Sequence, residues 1–317
     1  MPLLRQFSTT YIRSKSIIVA SIIVAVLSLM PCFAHLFIIR VSIRALIYAI
    51  FAMSWDLLYG YAGLISFGHA LFFGLGAYTC AILNTLFDLP PWGCILIAPC
   101  ISTLAGLIIS IPCLRLKEAY LALGTLAFAE IVRYLAIHFR ELTGAEEGIR
   151  GIQVFSENIL FNYYLYLIIT LVCTTMLLLV VKSSFGLKLI AIREDEELSK
   201  ACGINTSKYK ISAFLLSSFI AGMSGGLYAH FTGIVEASIF SSTVSFMAVS
   251  MTIIGGLGTI IGPIVGSYLI TFISEILRAT LDIRLLVYSL TLVLVLLFIP
   301  EGIIARVRRL YRVGREK

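Results

Sequence analysis

Residues 182–210, KSSFGLKLIAIREDEELSKACGINTSKYK, lie between two apolar runs, ILFNYYLYLIITLVCTTMLLLVV at 159–181 and ISAFLLSSFIAGMSGGLYAHF at 211–231. Each flanking run has about the 20 apolar residues that a helix needs to cross ~30 Å of hydrocarbon. The interval holds ten charged side chains, including the unbroken acidic run Glu194, Asp195, Glu196 and Glu197. A chain that crosses a bilayer, emerges into water and returns is a polytopic membrane protein. Outward from this interval, hydropathy with charges and breakers as punctuation predicts spans near 17–34, 41–59, 64–86, 93–112, 119–138, 159–181, 211–231, 243–256, 260–278 and 284–299.

Composition agrees with this reading. Hydrophobic residues make up 60% of the chain and only 13% of it is charged, against about 25% charged in a soluble domain; mean hydropathy is +1.01. The apolar runs are continuous and do not alternate, which excludes a β-barrel. The expected fold class is therefore all-α, a transmembrane helix bundle of about eight to ten spans. Residues 1–15 form an N-terminal tail, 16–300 the transmembrane domain and 301–317 a basic C-terminal tail. The run from Ser16 to Ala34 is longer than the ~7–15 apolar residues of a secretory signal, so an uncleaved signal-anchor helix is expected.

The net charge of +7 reads as a topology signal and not as a nucleic-acid footprint, because Lys and Arg are retained on the cytoplasmic side. Placing both termini there puts 17 of the 24 basic residues inside. Arg40, Arg44, Arg133, Arg140, Arg150, Arg278 and Arg284 are left outside or buried. The seven cysteines lack CxxC or metal-ligand spacing and read as small buried apolar residues, with no metal site expected.

Local signals predict a helix near Glu194 to Cys202. Acidic residues suit its N-terminus, Lys200 its last turn and Gly203 its left-handed C′ position, while Asn205, Thr206 and Ser207 offer caps for the next span. Charge pattern alone leaves a partner-binding helix and a solvated loop equally open. Gly60, Gly63, Gly68, Gly74 and Gly76 should loosen or break their span, and GGLGTIIGP at 255–263 should interrupt the apolar run from 243 to 277. Small residues recur every fourth position at Ala213, Ser217, Ala221, Gly225 and Ala229, and again at Gly258, Gly262 and Gly266. Such ladders allow close helix contact in lipid, with packing inside the chain favoured over a subunit interface. Among intramembrane ionisable groups, Asp56 reads as interfacial, Glu130 with Arg133 as an i, i+3 ion pair, and His69 as packed or pore-facing. Ser66 and His69 invite a serine-hydrolase reading, but neither an orienting acid nor a nucleophile turn accompanies them. No catalytic residue is assigned.

Five blocks in order, GYAGLISFGHALFFGLGAYT at 60–79, AYLALGTLAFAEIVR at 119–133, TGAEEGIRGI at 143–152, AIREDEELSKACGINTSKYKISAFLLSSFIAGMSGGLYA at 191–229 and GGLGTIIGPIVGS at 255–267, resemble branched-chain amino acid ABC-transporter permeases of the LivM type. The resemblance covers most of residues 45–270. It implies a permease subunit that moves branched-chain amino acids, or urea, amides or similar small metabolites, across the prokaryotic inner membrane. Its implied partners are a second homologous permease, two cytoplasmic ATPase subunits and an external substrate-binding protein. The chain has no GxxxxGK[ST] loop; the resemblance assigns ATP and Mg to the ATPase subunits and no cofactor to this chain.

By the same resemblance, Arg193, Glu194, Glu197 and Gly203 are coupling residues. Glu197 and Gly203 keep the EAA-type spacing, while Leu198 and Ser199 replace its alanines. Gly63, Ser66, Gly68, His69, Gly255, Gly256 and Gly258 are candidate pathway lining. Thr143, Gly144, Glu147 and Gly148 are candidate contacts for the external binding protein. An ion-coupled carrier using Asp56, His69 or Glu130 is the reading from another class, and it leaves the charged segment unexplained.

Overall fold

Within hydrocarbon every backbone N–H and C=O must find its partner inside the protein, and the described residues of the computed structural model do this almost entirely with helices. The structure describes residues 28–31 and 35–276, apart from 115 and 117. Both tails, the predicted span at 284–299 and most of the one at 17–34 lie outside the described residues.

In chain order the helices are α1 (Leu36–Asp56), prolonged by a π-helical turn over Leu57–Tyr61, α2 (Ala70–Leu86), α3 (Pro91–Cys113), α4 (Glu118–His138), α5 (Arg140–Thr143) and α6 (Ile159–Lys182). They continue with α7 (Ser184–Glu194), α8 (Glu196–Ala201), α9 (Thr206–Thr232), α10 (Ser242–Gly255) and α11 (Ile261–Ile276). Among the described residues five apolar helices are long enough to cross a bilayer, and α2, α10 and α11 are shorter. These fall on the eight spans predicted between 41 and 278, so the chain is an integral membrane protein.

The predicted span at 64–86 differs in one respect. Residues 62–69 are not helical, and α2 begins only at Ala70. The break expected at 255–263 is present between α10 and α11.

α1 is the axis of the bundle. Ile43, Leu46, Ile47, Ile50 and Phe51 are fully buried, beneath α6, α9, α10 and α11. α9 crosses α2 backbone to backbone: a Cβ on Gly76 would run into the Gly222 carbonyl, and one on Gly225 into the Phe73 carbonyl. Its serines tie it to α1, with Ser217 Oγ donating to Ser54 O at 2.6 Å and Ser224 Oγ to Ile47 O at 2.7 Å. The first small-residue ladder therefore serves packing within the chain, because close approach supplies the dispersion contact that lipid does not oppose. In the second, Gly266 meets the Met251 carbonyl and Gly262 meets Gly256, joining α11 to α10.

At one end of the bundle lies the charged segment. It is not the single helix predicted from Glu194. α7 stops at Glu194, and the Asp195 side chain turns the chain by accepting from Leu198 N–H at 2.9 Å, capping α8. The acidic run is thus split by its own best N-cap. The end of α8 follows the predicted chemistry: Gly203 has φ +81°, Ile204 N–H bonds Ser199 O at 3.0 Å and Gly203 N–H bonds Lys200 O at 2.9 Å, a Schellman motif. Asn205 then caps α9 through Lys208 N–H at 3.1 Å.

At the other end, β1 (Ile149–Arg150) pairs antiparallel with β2 (Ile234–Val235). Buried Asn84 donates to Leu89 O and accepts from Gln153 N–H, both at 2.8 Å, fastening the end of α2 to the loop.

Candidate functional site

Three groups of residues carry the functional argument, and each is positioned by helix ends. The first is the charged segment. Glu196 bonds Lys210 and Thr206 and is thereby turned toward α9. Glu194 and Glu197 instead point to solvent, with side chains 66% and 86% exposed. Next to Glu197, Leu198 is 62% exposed, an apolar side chain without cover on a helix held at both ends. Arg193 reaches back from α7: its Nη1 donates to the Gly60 carbonyl and its Nη2 pairs with Glu194.

The second group is the non-helical 62–69 segment. Trp55 Nε1 donates to Ser66 O at 2.8 Å, and Thr125 Oγ1 accepts from Phe67 N–H at 3.2 Å and Gly68 N–H at 3.3 Å. A Cβ on Gly68 would run into the Thr125 carbonyl, so glycine lets α4 lie directly on the turn. His69 is fully buried and stacks on Phe51, ring centroids 5.3 Å apart, with its Nε2 2.8 Å from Ser54 Oγ. The Ser54 hydroxyl donates to Phe51 O at 2.6 Å. Its oxygen therefore receives the His69 Nε2–H, and Nδ1 is the unprotonated nitrogen. His69 is thus a packed histidine; Ser66 Oγ is buried without a hydrogen-bond partner.

Thr125→Val keeps the shape but leaves two amides without an acceptor. Each buried orphan costs about 1–3 kcal/mol. A melting point lower by several degrees, with faster hydrogen exchange at Phe67 and Gly68, is the expected outcome.

The seven candidate pathway residues fall into separate places. Ser66, Gly68 and His69 gather at the start of α2, whereas Gly63 lies against Arg193 and Gly258 against Gly60. Gly255 packs on the Gly262 carbonyl, and Gly256 takes φ +122° at the end of α10.

The third group is the loop between α4 and α6. Gly144 and Gly148 have φ +72° and +68°, and Thr143 Oγ1 donates to Phe139 O at 2.8 Å. These three shape the loop, and Glu147 is the exposed member of the candidate set.

Asp56, read from the sequence as an interfacial residue, is enclosed by the protein itself. It is fully buried, accepting from Gly258 N–H at 2.7 Å and Ile260 N–H at 3.1 Å. The sequence carried half of this signal, an ionisable residue within an apolar span; its partners lie more than 200 residues away. Glu130 and Arg133 form the expected i, i+3 pair at 2.7 Å.

The family model described as the permease component of the branched-chain amino acid transport system matches residues 37–299. The chain belongs to this permease family. The permease is 27% identical over 299 residues to the high-affinity branched-chain amino acid transport system permease protein LivM of Salmonella typhimurium, covering 85% of this chain and 70% of that one. To the Escherichia coli K12 protein of the same name it is 27% identical over 326 residues, covering 94% and 76%. A probable LivM of Methanocaldococcus jannaschii is 28% identical over 268 residues, covering 69% and 75%. No solved structure matches the permease. Family and fold together make it a membrane-embedded permease subunit of an importer.

Proposed function

We propose that this permease is the membrane-spanning subunit of an ATP-driven importer in the prokaryotic inner membrane, moving leucine, isoleucine and valine without chemical change. It works with a second homologous permease, two cytoplasmic ATPase subunits that hold ATP and Mg, and an external binding protein. The observation that supports the coupling is α8, a short helix capped at both ends that exposes Leu198 next to exposed Glu197, with Glu194 exposed at the end of α7. An apolar anchor inside a polar rim is the composition of a protein-binding surface. α7 and α8 then face the cytoplasm, as do the two termini, and Glu147 faces the binding protein.

Asp56 accepts two backbone hydrogen bonds and Glu130 pairs with Arg133. Both have structural partners, which favours the importer over an ion-coupled carrier. One relative is named for a cargo that is not an amino acid: an autoinducer 2 import system permease protein, LsrC of Yersinia enterocolitica, is 28% identical over 171 residues, 52% of this chain and 46% of that one. A urea- or amide-type importer is the alternative. Uptake of labelled leucine by cells carrying the complete system, with and without this chain, is the direct test. Uptake should depend on the chain and be competed by isoleucine and valine; chain-dependent uptake of labelled urea with no leucine uptake would establish the alternative.

A further inference from the structure

A buried carboxylate is stable only when its lone pairs are occupied, and the partners of Asp56 connect regions far apart in sequence. Both its amide donors, Gly258 and Ile260, belong to the link between α10 and α11. That link has no periodic structure of its own: Gly256, Gly258 and Ile260 have φ of +122°, +66° and +53°. Immediately after Asp56, α1 opens into the π-turn. There Gly63 N–H bonds Tyr59 O at 3.0 Å and Leu64 N–H bonds Leu58 O at 3.0 Å, while the Gly60 carbonyl takes the bond from Arg193. Tyr61 closes the group by donating its hydroxyl to Gly258 O at 2.8 Å. Contact is close throughout. A Cβ on Gly60 would strike Asp56 Oδ1 and lie 2.7 Å from Gly258 N, and one on Gly63 would lie 2.8 Å from Arg193 Cγ.

We propose that Arg193 and Asp56 are positioning residues of a mechanical joint that carries displacement of the 184–201 segment into the 256–260 link, and so into α10 and α11. The π-turn is the element that yields. Such turns interrupt the regular helical ladder and recur at functional sites, and here the interruption presents the Gly60 carbonyl to Arg193. The proposal rests on the importer reading only in taking the 184–201 segment as the place where the ATPase acts. Asp56, fully buried, cannot itself touch an ATPase.

The joint predicts reciprocal effects, because a coupling between two sites acts equally in both directions. The assembled importer in proteoliposomes is examined by hydrogen exchange over 184–194 and 256–261, and by leucine transported per ATP hydrolysed. Asp56→Asn keeps one acceptor oxygen and turns an amino group toward a backbone N–H. Arg193→Met removes the guanidinium while keeping an unbranched stem at a side chain that is 38% exposed. Asp56→Asn should speed exchange in 184–194, and Arg193→Met should speed it in 256–261, each by about fivefold or more. Leucine moved per ATP should fall by a similar factor in both, with partial recovery in Arg193→Lys. Exchange changes confined to the substituted segment, or transport and hydrolysis falling in proportion, would overturn the joint. If Asp56→Asn does not assemble, the two Arg193 variants decide alone. If the unaltered importer moves no leucine, the substrate reading fails and the exchange arm still decides the joint.

Discussion

Gly225→Val will leave little folded permease in the membrane. The added Cβ meets the Phe73 carbonyl and lies 3.0 Å from Ala77 N, so the atoms in its way are backbone, which cannot turn aside as a side-chain tip can. Overpacking a well-filled core costs about 1–3 kcal/mol and more where backbone must shift, against a typical total stability of about 5–15 kcal/mol. In lipid no hydrophobic force restores the pair once α9 and α2 are held apart. Membrane yield and melting temperature of the purified chain report the loss. Gly93→Ala is the control: its nearest neighbour would be the flexible Leu89 Cδ2 at 3.5 Å, and replacing a helical glycine there should be neutral or stabilising by up to ~1 kcal/mol. Equal yield and melting for Gly225→Val and the unaltered chain would refute the packing account.

The second large effect is expected at the opposite kind of position. Leu198→Asp should abolish co-purification of the proposed ATPase partner while leaving the melting temperature of the permease unchanged. The side chain is 62% exposed, so the fold loses nothing by the exchange. Burying a carboxylate in an apolar pocket of the partner removes an anchor worth about 2 kcal/mol or more, about a 30-fold loss of affinity. Lysine at both Glu194 and Glu197 should weaken association less and in a salt-dependent way, since exposed charge pairs contribute little each. An ATPase that binds Leu198→Asp as well as the unaltered permease would remove α8 as the docking point.

Much of the architecture was legible in the chain because its causes are local. Long apolar runs can satisfy their backbone in lipid only as helices, so the spans from 36 to 276 follow from hydropathy. Gly203 and Asn205 act within a few residues of themselves, and the end of α8 and the start of α9 formed where those residues predicted. The start of α8 did not, because Asp195 can serve either as a helical residue or as a cap, and the competition is decided by a single hydrogen bond to Leu198 N–H. Residues 62–69 are as apolar as a helix, and hydropathy cannot distinguish the two. The turn exists because Trp55 and Thr125 supply partners for its backbone.

The candidate site was legible by chemistry and not by place. Glycine density marked both blocks, yet Gly63 meets Arg193, Gly68 meets Thr125 and Gly255 meets Gly262, pairings that depend on how distant helices cross. The sequence left His69 either packed or pore-facing, and only Phe51 and Ser54 beside it separate the two.

The sequence by itself determined that this is a helical membrane protein with one charged segment between spans, because burial of the backbone in hydrocarbon and the capping of helix ends are settled within each segment. Only the tertiary structure decided what that segment holds on to. Arg193 finds Gly60 across 133 residues and Asp56 finds Gly258 across 202, and a hydrogen bond between such positions forms only after the helices carrying them have packed.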